Sequence, residues 1–169
     1  GHPVHAFDLD KLEGGQINIR YAQAGESILP LGADAKEIEL SAEDLVIADA
    51  AKPIALAGVK GGAASSVDEN TTNLLLETAT FSPSAVRRSS RRHGIASDSS
   101  YRFERQVPDR QVPIASERLL QLILSVAGGE AAPPTMVGTI APAPTMTLRF
   151  STSLPFHWRP CTYTFFACW

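Results

Sequence analysis

Between Ile17 and Phe81 the chain is a succession of short apolar runs cut by turn residues: INIRYA, SILPL, KEIEL, LVIAD, PIALAGV and NLLLETATF. Each run is too short for a stable helix and is predicted to be a strand. Apolar and polar residues alternate in INIRY and KEIEL, the mark of strands with one wet face. IALAGV and NLLLE are continuously apolar, so both are expected to be covered on two faces and to form the centre of a sheet. Gly14-Gly15, Gly25, Gly32 and Gly61-Gly62 separate the runs at intervals that suit an antiparallel or mixed sheet better than a βαβ series.

At Ser82 the period changes. Ser82-Pro83 reads as an N-cap followed by proline at the first helical position, and SAVRRSSRRHG then runs to Gly94 as the residue just past the helix. A second helix is predicted from near Pro113 to Gly128-Gly129, with Leu119, Leu122, Ile123 and Val126 as a core-facing stripe. Beyond it, EAAPPTMVGTIAPAPT has the proline and small-residue content of an extended linker. The pattern predicts an α+β fold, a β-sandwich-like core with flanking helices. It comprises a domain over 1–130, a linker over 131–148 and an unassigned segment over 149–169 whose aromatic and cysteine content is foreign to the rest. That tail is expected to be non-native, and the opening GHPVHAFD is expected to lie inside an element of a longer parent chain.

Composition agrees with a folded domain: 169 residues, 44% hydrophobic and 20% charged, enough for one sizeable core. A net charge of −3 supplies no general cationic field, so any nucleic acid must meet a local cluster. RRSSRRH, with Arg87, Arg88, Arg91 and Arg92, is such a cluster, although a charge run is more often a solvated helix face. No apolar run approaches the ~20 residues that span a bilayer, and the N-terminus lacks the order of a signal peptide. A cytoplasmic protein without membrane contact is therefore expected. Cys161 and Cys168, the only two cysteines, give neither a disulfide framework nor a zinc knuckle.

Candidate chemistry is thin when each motif stands alone. His2 and His5 with Asp8 and Asp10 lack a third firm metal ligand at suitable spacing. LAGVKGG offers Gly58, Gly61 and Gly62 after a strand, a turn that exposes backbone donors but matches neither a P-loop nor a dinucleotide fingerprint. Glu77 follows three leucines in an expected strand, where a carboxylate needs either an arginine partner or a task. SDSSYRFERQ reads as a capped, hydrated helix start. No Ser/His/Asp order, nucleophile elbow or redox CxxC occurs.

Taken in order, GHPVHAFDLDKL, IRYAQAGE, LVIADAAKPIALAGVKGG, TTNLLLETATFSP, RRSSRRHGI and SDSSYRFERQ closely resemble the B3/B4 domain of the bacterial phenylalanine–tRNA ligase β subunits. The likeness runs from residue 1 to about 130, and is most specific in PIALAGVKGG, LLLETATF and SSYRFER. It implies an editing domain that hydrolyses tyrosine wrongly esterified to tRNA(Phe), in a ligase of two α and two β chains. ATP and magnesium would serve the whole ligase, with no cofactor or metal in this segment. By match to the family motif, Glu77 receives the tyrosine hydroxyl and His5 lies by the scissile ester, where it orients water or the terminal ribose. Gly61, with Gly62, lines the pocket. Ser97 stands where the family commonly has threonine, and Ser99 where a small residue keeps the cavity open.

The resemblance further implies that SDSS walls the pocket and that Tyr101 and Phe103 are core. Two departures stand out: Lys60 replaces a common methionine, and RFERQVPD replaces the usual RFERGVDP, putting Gln106 in place of glycine. The competing expectation is a noncatalytic RNA-binding or subunit-scaffold module.

Overall fold

The structure, a computed structural model, describes residues 1–140 and the backbone of 146–147 and 164–165. It divides into two compact units, Gly1–Pro134 and Thr135–Trp169. In the second unit, strands Met146–Thr147 and Thr164–Phe165 pair antiparallel; the rest of the segment expected to be foreign lies outside the described residues.

The first unit is an α+β fold. Its centre is a four-stranded antiparallel sheet of β2 (Asn18–Tyr21), β5 (Leu45–Ala48), β6 (Pro53–Leu56) and β7 (Lys60–Gly61), in that spatial order. Two antiparallel ribbons accompany it, β1 (His5–Asp8) with β8 (Leu74–Glu77), and β3 (Ser27–Ile28) with β4 (Ile38–Glu39). Every residue of β6 is buried, as its unbroken apolar run requires. Val46 and Leu56 pack in a cluster with Ile28, Leu40, Val86 and Phe103. Ile47 and Ala55 pack in another with Phe7, Leu12 and Leu75. The central strands are thus covered on both faces, and each fully buried aliphatic side chain contributes about 1.5–3 kcal/mol.

NLLLE does not occupy the sheet centre. β8 has one partner, β1, and its burial runs from exposed Leu74 to partly buried Leu75, Leu76 and Glu77. Three consecutive leucines look the same in sequence whether a strand has one neighbour or two, and here β1 is the only strand that pairs with β8 among the described residues.

Helix α1 spans Pro83–His93, with Ser82 as N-cap and Gly94 in the left-handed conformation that closes it (φ 65°), a backbone state that glycine adopts without steric cost. α2 covers Asp98–Phe103 and α3 covers Gln111–Ala127. α3 begins two residues before Pro113, and none of its residues is buried. The stripe expected to face a core is covered only in part: Leu119 and Ile123 are half-buried, whereas Leu122 is 46% and Val126 87% exposed.

One carboxylate joins α1 to the sheet. Asp44 is fully buried and accepts from the Ser41 N–H at 2.8 Å, Ser89 Oγ at 2.7 Å and Arg92 Nη1 at 2.5 Å, with His93 Nε2 at 2.7 Å. Burial alone would raise its pKa; hydrogen bonds from Ser89, His93 and the Ser41 N–H outweigh that and hold it below the usual carboxylate value. Arg92 also pairs with Glu43. Part of the basic run is therefore structural, while Arg87, Arg88 and Arg91 remain exposed.

Candidate functional site

A cavity of about 290 Å³ opens where β1, β7, β8 and the start of α2 meet. Its position follows from strand register. β1 and β8 pair so that His5 stands opposite Glu77, and these two residues project from adjacent strands toward the same space, 72 positions apart in the chain. His5, Gly61, Glu77, Ser97 and Ser99 all line it.

Gly61 makes room for the imidazole. A Cβ at this position would lie 2.5 Å from His5 Cε1 and 2.7 Å from His5 Nε2, distances no side chain tolerates. The ring also packs edge-on against Phe7, with centroids 4.5 Å apart. His5 Nε2 is buried and finds no hydrogen-bond partner among the described residues. Burial lowers its pKa, so the imidazole is neutral at neutral pH and offers one donor and one acceptor nitrogen.

Glu77 is the complementary oddity. Burial pushes its carboxyl up from 4.5 to about 7, and no cationic group among the described residues offsets that cost. No hydrogen bond or ion pair holds it among the described residues, and although His5 is its cross-strand partner, the two side chains are not ion-paired. Near neutral pH the cavity thus combines an uncharged imidazole with a carboxyl poised between its two forms. A hydroxyl-bearing ligand would satisfy that carboxyl; an apolar one would leave it unpaired.

The serines do a different kind of work. Ser97 caps α2: its Oγ accepts from the Ser100 N–H at 3.0 Å and donates to the Val59 carbonyl at 2.6 Å. Ser100 Oγ accepts in turn from the Ser97 N–H at 2.9 Å, completing a reciprocal cap. Ser97's hydroxyl is therefore committed to fastening the cavity wall to the turn between β6 and β7. Ser99 contributes a small, partly buried surface.

Several expectations change. Gly62 lies outside the lining; its N–H donates to the Ile54 carbonyl at 2.8 Å, and a Cβ there would meet that oxygen at 2.5 Å. It is a packing glycine. Phe103 is buried in the core, but Tyr101 is 60% exposed, with the Arg105 guanidinium 3.6 Å above its ring. Gln106, at the position where glycine was expected, adopts φ 69° and is the single non-glycine residue with positive φ among those described.

His2 Nε2 bonds the Ala79 carbonyl at 3.0 Å, while Asp8 is engaged by Thr71 Oγ1 at 2.7 Å and by Lys11. Among the described residues no group of three or more His, Cys, Asp or Glu could hold a metal ion, and no helix is long and apolar enough to cross a membrane. Leu31, Lys60 and Phe81 also line the cavity. For Leu31 and Phe81 the sequence holds no pointer, since an isolated apolar residue carries no local signal that it faces a cavity; Lys60 stands out in sequence only as a departure from methionine.

A family model described as the B3/4 domain matches residues 1–128. The chain is 50% identical over 133 residues to the phenylalanine–tRNA ligase beta subunit of Moorella thermoacetica, covering 79% of this chain and 16% of that protein. It is 49% identical over 143 residues to that of Chlorobium luteolum, covering 85% and 17%. With the Aquifex aeolicus beta subunit it shares 51% over 130 residues, covering 77% and 16%. The chain thus spans less than a fifth of the length of these relatives.

Proposed function

Given that the chain belongs to the B3/4 domain family, we propose that its cavity is a hydrolytic editing site that removes tyrosine from wrongly charged tRNA(Phe). One observation carries this reading: a partly buried carboxyl, Glu77, faces the cavity without a partner among the described residues and with its pKa raised to about 7 by burial. The physical need for a second site is general. An apolar pocket built for one side chain discriminates only about a hundredfold against an isostere that adds a hydroxyl. A site that binds the hydroxyl itself reverses the preference, because the correct amino acid leaves a buried polar group unsatisfied at roughly 1–3 kcal/mol.

In this reading the tyrosine phenol donates to Glu77, and the ester end lies toward His5 and Gly61. The neutral His5 imidazole is suited to orient a water or the terminal ribose hydroxyl at the ester carbonyl. Attack of that water breaks the acyl–oxygen bond, giving free tyrosine and the tRNA 3′ hydroxyl. The parent protein would be a cytoplasmic ligase β subunit working with an α subunit and tRNA(Phe), and ATP and magnesium would serve its aminoacylation site rather than this cavity. The domain would span residues 1–130, followed by a linker.

The partly exposed apolar stripe of α3 favours a scaffold role for that helix within the same assembly. The two readings separate on incubation with Tyr-tRNA(Phe) and Phe-tRNA(Phe). Preferential release of tyrosine, lost in Glu77→Ala, supports editing; equal inertness toward both substrates supports the scaffold alone.

A further inference from the structure

A second cavity, about 420 Å³, lies beside the first, sharing Leu31 and Lys60 with it. Its remaining lining includes Gly32, Lys36 and His93, and contains no acidic residue and no Phe, Tyr or Trp. Lys60 is partly buried and Lys36 exposed, and neither ammonium group forms an ion pair or hydrogen bond among the described residues. The acids nearest Lys36 in sequence, Asp34, Glu37 and Glu39, all lie outside the lining. Glu37 accepts from Ser27 Oγ, and Asp44 and Glu43 are held by Arg92. His93 is fixed by Asp44. In a chain of net charge −3, two lysines without an ion-pair partner among the described residues therefore line one concavity that adjoins the editing cavity.

We propose that this second cavity receives the ribose–phosphate chain of the RNA whose aminoacyl end occupies the first, with Lys60 at the junction and Lys36 nearer the rim each neutralising a phosphodiester. The choice of ligand rests on the editing reading. Two further features point to backbone rather than base. Lysine is a point-charge phosphate partner without acceptor atoms, and without a Phe, Tyr or Trp platform the cavity has little on which to stack a base. A substrate that enters the first cavity by its amino acid must continue as a polyanion, and the shared Leu31–Lys60 wall leads it into a cationic neighbour.

The test is equilibrium binding of a 5′-labelled single-stranded RNA ending in the tRNA acceptor sequence, uncharged, followed by fluorescence anisotropy over a range of salt concentrations. Each phosphate neutralised on a single strand contributes about 0.7 to the slope of log affinity against log salt. The 169-residue chain carrying Lys36→Ala and Lys60→Met should lose about 1.4 from that slope, and Lys36→Ala alone about 0.7. Lys52→Ala, on the exposed turn between β5 and β6, should leave it unchanged. An unchanged slope in the double variant, an equal loss in Lys52→Ala, or no binding by the unaltered chain at low salt would overturn the inference. No ester takes part in this readout. Tyrosine release with an unchanged slope therefore sinks this proposal alone, and a reduced slope without tyrosine release sinks the editing reading alone.

Discussion

Replacing Glu77 with glutamine isolates what the cavity imposes on one carboxyl. In the folded chain its pKa is raised from 4.5 to about 7, and burial is the cause. Between those values the native state holds a proton that the unfolded chain has released, so wild-type stability falls as pH rises through this window. The difference corresponds to about 3 kcal/mol when fully developed above pH 7. Glutamine has nearly the same shape and cannot ionise. Glu77→Gln should therefore be close to wild type in stability near pH 4.5 and more stable by up to about 3 kcal/mol at pH 8. Urea denaturation of both proteins at intervals from pH 4.5 to 8, with slopes checked for equal surface exposure, measures the growing gap. A stability difference that stays constant across this range would show that the carboxyl is not held in a desolvated, unpaired state, and the argument for hydroxyl recognition would lose its footing.

Two further substitutions address the geometry. Gly61→Ala places a methyl group on the His5 ring; it should displace the imidazole, cost about 1–3 kcal/mol as overpacking does, and abolish tyrosine release, with the His5 ring resonances reporting the shift. Unaltered resonances with full activity would refute the interlock. Gln106→Gly relieves the positive φ and should raise stability by up to about 1 kcal/mol in urea; a loss would mean that the glutamine side chain compensates for its backbone.

Much of the fold is legible in the sequence where local chemistry decides it. α1 starts at Pro83 and closes at Gly94 because proline and glycine each suit one backbone state there, and PIAL is central because only a doubly covered strand can be wholly apolar. NLLLE and the α3 stripe fail for one shared reason. Periodicity tells which side chains prefer burial, whereas the presence of a covering element is a property of the assembled chain.

The site divides in the same way. The facing of His5 and Glu77 depends on a strand register spanning 72 positions, which no local motif encodes; family likeness, not spacing, nominates the pair. Tyr101 shows the limit of that likeness, since an aromatic in a matched motif can still lie on the surface under an arginine.

Asp44 binds Ser89 and His93 from 45 and 49 positions away in the chain. Until α1 has formed and docked, the sheet carries a negative charge on the verge of desolvation with only the Ser41 N–H to answer it. The β portion thus has little to gain from completing its collapse ahead of the helix, which favours a single cooperative folding step over a sheet-first intermediate. A polypeptide cut between β8 and α1 would keep most of its strands and forfeit the reason for them to close.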